Sequence, residues 1–455
     1  MLFEDTIAAI STPVAIGGLG VIRLSGPQAI TIAQQIFKSV SGKMLSDIKG
    51  YTALFGHVTE GEQTIDECIA LVFKAPKSFT GEDVVELSCH GGIYIVKKVL
   101  RLCLQAGARM AEPGEFSKRA FLNGKMDLTQ AEGIVDLINA KTSQSAAAAL
   151  SVMDGRLYQQ ICEVRNELID LSAQLAAYID YPDDEIEELT ENPVRDRLLP
   201  CMDKLQTLID NYDRGAMIKN GVNTVIVGKP NVGKSTWMNL LAGREKSIVT
   251  QIPGTTRDVV EESIVLDDVI LNLADTAGIR ETDDPVEKIG VGRAKDYLKK
   301  AQLVLAIFDY SRPLDDEDKE LLQQLPESSI IIVNKTDLPG ILDVEILKNK
   351  GVPVLLLSAM QPNALKELQQ AVRKCLHLQQ LDLSGGILAN ERQLSSTVQA
   401  KNAVNKALDA LNAGFTLDAV AVDIDTAIQN LYEMTGEHAS DEVIARIFEN
   451  FCVGK

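Results

Sequence analysis

Thr224-Val-Ile-Val227-Gly228-Lys-Pro-Asn231-Val232-Gly233-Lys234-Ser235-Thr236 is the stretch whose reading decides the fold of this chain. Four β-prone residues, three of them apolar, run into a full GxxxxGK[ST] motif, and the residues after Lys234 read as a helix. Glycines at 228 and 233 allow a tight loop whose backbone N–H groups close around phosphate oxygens. The helix N-terminus adds a favourable partial positive charge. Lys234 has the reach for β- and γ-phosphates, and the Ser235 hydroxyl is placed to hold Mg²⁺.

Working outward, five apolar runs alternate with helical stretches over residues 221–379: Thr224–Val227, Val269–Leu273, Leu303–Phe308, Ile330–Val333 and Val354–Leu357. Such alternation predicts a mostly parallel, doubly wound sheet. Polar motifs stand at the ends of these runs. Asp275-Thr276-Ala277-Gly278 offers a carboxylate to the Mg²⁺ shell and, at Gly278, a backbone N–H to a γ-phosphate. In Asn334-Lys335-Thr336-Asp337 the ionised Asp337 has only acceptors, so it can take two parallel hydrogen bonds from the ring N–H and amine of guanine. Ser358-Ala359-Met360 completes the base pocket through a backbone N–H. In this order, the set specifies a Ras-like P-loop domain that binds and hydrolyses GTP. An ATPase reading leaves Asp337 unexplained. The glutamine that orients water shortly after DxxG in Ras-type proteins has no counterpart, because Ile279 and Arg280 follow Gly278. Other groups must position the water and neutralise charge.

The chain has 455 residues, more than one core holds. Residues 1–120 mix short β-rich runs, such as Gly20–Leu24 and Ile69–Phe73, with Gly/Pro turns and read as an N-terminal α+β domain. Residues 121–220 turn helical, with Leu157, Ile161, Val164, Leu168, Leu171 and Leu175 at three- and four-residue steps. Residues 380–455 are helical again, with Val404, Leu408, Leu411, Val422, Ile428 and Leu431 as the expected stripe. A discontinuous helical domain with the nucleotide domain inserted between its halves would bury both stripes. The net charge of −19 argues against a general nucleic-acid binder without excluding RNA. Seven scattered cysteines contain no CxxC pair, no apolar run is long enough for a membrane span, and the first residues do not read as a signal peptide. A reducing, cytoplasmic location is expected.

Beyond the nucleotide motifs, the chain contains Leu87-Ser-Cys-His-Gly-Gly92, Pro113-Gly-Glu-Phe-Ser-Lys-Arg-Ala-Phe-Leu-Asn-Gly-Lys125, Pro253-Gly-Thr-Thr-Arg-Asp258 and the end Phe451-Cys-Val-Gly-Lys455. With these it resembles, along nearly its whole length, the MnmE (TrmE) family of tRNA-modifying GTPases. The resemblance implies a K⁺ ion in place of an arginine finger, held by Asn231 and by backbone carbonyls of Thr250, Ile252 and Thr255. Gln251, Pro253 and Gly254 would line the nucleotide with them, and Thr256 would join Ser235 on Mg²⁺. Glu287 falls where the family places a water-orienting glutamate; by itself it reads as one of several solvated acids with Glu281, Asp283 and Asp284.

The resemblance further implies an N-terminal domain that forms a homodimer and binds a tetrahydrofolate derivative, 5-formyl- or methylene-tetrahydrofolate. The carried-over contacts are Arg23, Glu86, Lys125 and Lys455. By residue type alone, Arg23 and Glu86 read as solvated strand positions. Cys452 has the chemistry to add to an activated pyrimidine; its apolar neighbours suit an inert filler equally. The implied partner is the FAD-dependent MnmG (GidA), with tRNA as substrate and C5 of the wobble uridine as the modified atom. A regulatory or ribosome-assembly GTPase is the competing class; it needs the nucleotide motifs but no folate site.

Overall fold

A computed structural model describes residues 4–180, 191–243, 260–274, 301–377, 386–449, 451, 453 and 454. Two compact units emerge: Met1–Val135 with Ile161–Leu198 and Asn402–Lys455, and Asp136–Gln160 with Leu199–Lys401.

Among the described residues the first unit holds seven strands: β1 (Ile7–Ile10), β2 (Leu19–Ser25), β3 (Phe37–Ser39), β4 (Thr52–Glu60), β5 (Gln63–Phe73), β6 (Val84–His90) and β7 (Arg109–Met110). Their order is β3-β4-β5-β6-β2-β1-β7, antiparallel except for the β1–β7 pair. Side chains alternate between faces along a strand. In β2, Ile22 and Leu24 are therefore buried under the helices Ala29–Ile36 and Ile93–Gln105, and Arg23 takes the opposite face. The β2–β6 register sets Arg23 directly across from Glu86.

Helices complete this unit. The expected stripe along the helix Arg156–Asp180 is buried from Leu157 to Leu175. Val404, Leu408 and Leu411 are buried in the helix Glu391–Asn412. In the helix Leu417–Thr435 the buried face is Val420, Ile424, Ala427, Ile428 and Leu431; Val422 is 65% exposed, because it lies two residues from each of Val420 and Ile424 and so off their side of the helix. Segments on either side of the nucleotide motifs join here. The Arg165 guanidinium lies 4.6 Å from the Tyr432 ring and pairs with Glu437. Ser172 donates to Asp425 at 2.7 Å, and Arg195 to Asn412 at 2.6 Å. The helical domain is thus discontinuous, with the nucleotide-binding sequence inserted within it.

The second unit contains β8 (Val222–Val227), β9 (Val260–Leu266), β10 (Val269–Ala274), β11 (Leu303–Asp309), β12 (Ser329–Asn334) and β13 (Val354–Leu356) in the order β13-β12-β11-β8-β10-β9. All pairings are parallel except β9–β10. The five apolar runs are five of these strands. The sixth, β9, begins Val260-Glu-Glu-Ser and, among the described residues, lies at the sheet edge with a strand on one side only. β11 and β12 are buried throughout, as expected for parallel strands covered on both faces. Trp237, Leu241, Leu368 and Val372 belong to the core on one face, and Leu322, Leu325 and Leu347 to that on the other. The fold class is multidomain α/β: an N-terminal α+β domain, a helical domain, and a Ras-like P-loop domain.

Candidate functional site

In the second unit, strand order reverses beside β8, and the GKPNVGKS loop leaves the carboxyl end of that strand. Open α/β sheets bind ligands at this position. Gly228, Asn231 and Gly233 have φ of 146°, 65° and 102°, so three of the six residues from 228 to 233 take positive-φ backbone conformations. At Gly233 an added Cβ would stand 2.2 Å from Asn334 Nδ2, so glycine is required by space as well as by φ. The helix Lys234–Ala242 follows directly, and its first turn exposes Ser235 and Thr236. Lys234 Nζ donates to the carbonyls of Gly228 at 2.8 Å and Lys229 at 2.7 Å, which folds the amine over the loop.

Asn334, at the end of β12, ties two binding loops together. Its Nδ2 donates to the Val232 carbonyl at 2.8 Å, and its Oδ1 accepts from the Ala359 N–H at 3.1 Å. Val232, Asn334, Ser358 and Ala359 are buried, whereas Asp337 and Met360 are exposed, so the carboxylate expected to read the base stands in solvent. Lys335, at φ 64°, donates to Asp309 Oδ2 at 2.7 Å. Burial alone would raise the Asp309 carboxyl, but the Lys335 ammonium and the Ser311 donors hold it below the usual carboxylate range. Asp309 was not legible as part of the site; its position at a strand end beside the NKTD loop was the available signal. Gln361 was missed too: it accepts from the Ser358 N–H at 3.3 Å and contacts Thr336 Oγ1 at 3.5 Å. Thr250, Gln251, Ile252, Pro253, Gly254, Thr255, Thr256, Asp275, Thr276, Ala277, Gly278 and Glu287 lie outside the described residues.

In the first unit, the Arg23–Glu86 cross-strand pair is an ion pair. Arg23 Nε and Nη2 both reach Glu86 Oε1 at 2.8 Å. Nη1 donates to the Gly454 carbonyl at 3.1 Å, which also accepts from Ser11 Oγ at 3.2 Å. The chain end is thereby held at the pair. Phe448 and Phe451, with ring centroids 4.8 Å apart, anchor it in a cluster with Leu128 and Ala131. Gly454 has φ 94°, and a Cβ there would lie 2.6 Å from the Ile10 carbonyl. Lys125 is exposed and donates to the Pro76 carbonyl at 3.1 Å. Lys455 and Cys452 lie outside the described residues.

The same unit explains much of the Pro113–Lys125 stretch. Arg119 is fully buried and donates to Asp5 Oδ1 at 2.7 Å, Glu115 Oε1 at 2.9 Å and Glu82 Oε1 at 3.2 Å. Arg109 adds bonds to Glu115 at 2.6 Å and Asp5 at 2.7 Å. Burial pushes the Glu115 and Asp5 carboxyls up, and their arginine partners bring both below the usual range. The cysteines nearby are inert in character: burial pushes the thiols of Cys68 and Cys103 up to about 12 and that of Cys89 to about 11. His90 pairs with Asp66 at 2.6 Å rather than with Cys89, and among the described residues no cluster of three His, Cys, Asp or Glu side chains could hold a metal. Nor, among the described residues, is any helix long and apolar enough to cross a membrane.

These features match known proteins over the whole chain. The family model of the GTP-binding protein TrmE N-terminus matches residues 6–125, and that of the MnmE helical domain matches residues 128–452. The tRNA modification GTPase MnmE of Geobacillus kaustophilus (strain HTA426) is 43% identical over 459 residues, covering 99% of each chain. The tRNA modification GTPase MnmE of Bacillus subtilis (strain 168) is 41% identical over 459 residues, covering 99% of this chain and 100% of that one. With two family models and full-length relatives in agreement, the chain belongs to the MnmE family of tRNA modification GTPases.

Proposed function

We propose that this GTP hydrolase works with MnmG (GidA) to install an aminomethyl or carboxymethylaminomethyl group on C5 of the wobble uridine of certain tRNAs. The carbon comes from a tetrahydrofolate derivative, 5-formyl- or methylene-tetrahydrofolate. Residues 1–120 bind it and form a homodimer, residues 121–220 and 380–455 make the helical domain, and residues 221–379 hydrolyse GTP in the cytoplasm. The observation that carries this reading is the Arg23–Glu86 pair with the chain end bound to it. Oε1 takes both Arg23 bonds, and among the described residues Oε2 has no hydrogen-bond partner. A pterin presents adjacent N–H donors that suit such a carboxylate, and Arg23, Lys125 and Lys455 suit the anionic remainder of a folate.

In the nucleotide domain, Ser235 and Asn231 are exposed oxygen donors at the loop, the type that hard cations prefer. Ser235 with Thr256 would hold Mg²⁺, and Asn231 with the carbonyls of Thr250, Ile252 and Thr255 would hold K⁺. These ions would supply positive charge beside the β- and γ-phosphates. Asp337 selects guanine, Glu287 orients the attacking water, and GTP turnover drives a conformational cycle. Cys452 is the candidate nucleophile toward the pyrimidine.

Two measurements test the proposal. GTP turnover in KCl should exceed that in NaCl at equal ionic strength; equal rates remove K⁺ from the mechanism. Incubating the chain with MnmG, tRNA, GTP and methylene-tetrahydrofolate, followed by nucleoside analysis, should yield modified uridine. An Arg23→Ala chain that modifies tRNA as well as the parent would overturn the folate assignment.

A further inference from the structure

Beside the Arg23–Glu86 pair, one aromatic ring is exposed without a packing explanation. Phe79 is 37% exposed, although it stands on a segment held in place from several sides. Ser78 Oγ donates to the Glu82 carbonyl at 2.6 Å, and Asp83 accepts from the Ala75 N–H at 2.9 Å. The Thr80 hydroxyl, itself buried, meets Ser25 Oγ at 2.7 Å, and Asn123 Nδ2 donates to the Thr80 carbonyl at 2.7 Å. None of these bonds uses the Phe79 side chain. The segment therefore fixes where the ring stands while leaving part of it open to solvent.

The ring's neighbour is the Arg23 guanidinium, whose central carbon is 6.0 Å from the Phe79 centroid and 5.7 Å from that of the buried Phe116. Arg23 is thus flanked by one buried ring and one exposed ring, and its own charge is taken up by Glu86 and the Gly454 carbonyl. An exposed aromatic face beside a carboxylate oxygen with acceptor capacity is the pairing that recognises a flat heterocycle bearing N–H donors: the carboxylate reads the edge, and the ring covers a face. Resting on the folate reading of this site, we propose that Phe79 is a binding residue that stacks on the heterocycle held at its edge by Glu86. The substrate class selected is therefore the reduced pterin ring rather than the acidic tail alone.

Calorimetric titration of the full chain with 5-formyltetrahydrofolate tests this, with Phe79→Ala, Phe79→Tyr and Glu86→Gln beside the parent. Circular dichroism melting checks that each variant folds. Phe79→Ala should weaken binding roughly tenfold to a hundredfold, the range for aromatic stacking on a flat base. Phe79→Tyr, which keeps the face, should stay within about twofold of the parent. Undiminished binding by Phe79→Ala with binding lost in Glu86→Gln overturns the role of the ring and leaves the site reading intact. Equal loss in Phe79→Ala and Phe79→Tyr also overturns stacking, since shape rather than an aromatic face would then matter. A parent chain that binds no folate removes the site reading and this inference together.

Discussion

Replacing Asn334 with alanine should unmoor the nucleotide site. The side chain is 3% exposed, and both of its bonds go to backbone groups: the Val232 carbonyl at 2.8 Å and the Ala359 N–H at 3.1 Å. Each backbone group left buried without a partner costs about 1–3 kcal/mol, so the pair predicts a loss of roughly 2–6 kcal/mol. Trp237 provides the assay. It is the sole tryptophan, buried in the core of the second unit, so its emission follows that unit's unfolding rather than that of the whole chain. With a urea slope of roughly 2 kcal/mol per molar, the midpoint should fall by about 1–3 M. Asn334→Asp keeps the acceptor for Ala359 but sets an oxygen against the Val232 carbonyl, so it should also destabilise. GDP affinity should drop at least about tenfold in the alanine variant, because the phosphate loop and the base loop lose their common tie. An unchanged midpoint with unchanged affinity would refute the reasoning, for it would show that neither loop depends on this bridge.

Three further outcomes follow from the first unit. Arg119→Met leaves Asp5, Glu82 and Glu115 without their buried cation and should destabilise the unit by about 3–5 kcal/mol, read by circular dichroism against an unshifted Trp237 transition. Asp5 and Glu115 lie below their ordinary range in the folded state, so their stabilisation is fully present above the unfolded carboxylate range near pH 4 and is lost as pH falls through the lower folded values. Acid melts should therefore show this unit losing stability below about pH 4; the Arg119→Met chain should keep the part of that dependence that Arg109 supplies to both carboxylates and lose the rest. Iodoacetamide at pH 8 should leave Cys68, Cys89 and Cys103 unlabelled in the native chain while the less buried Cys162 reacts; fast labelling of Cys89 would contradict its burial.

The nucleotide domain was legible because its signals are local. An apolar run, a GxxxxGKS loop and a helix are neighbours in sequence, and the runs that became β11 and β12 are apolar enough to be buried on both faces. Strand β9 escaped because an edge strand carries polar residues and no strong hydrophobic signature. The helical stripe from Leu157 to Leu175 was readable by period, and Val422 misled because one apolar residue outside the period looks like any other.

What the tertiary structure alone decided is which distant groups meet. That Arg23 faces Glu86 is a matter of strand register, and a slip of one residue would turn each to the other side of the sheet. The seating of Gly454 on Arg23 depends on Phe448 and Phe451 packing against Leu128 and Ala131, contacts between segments far apart in the chain that no sequence spacing encodes. Sequence by itself determined the kinds of chemistry present, since donors, acceptors and apolar periods are properties of residues. Burial, pairing and the resulting charge states belong to the fold, because they arise only when segments far apart in the chain exclude water together.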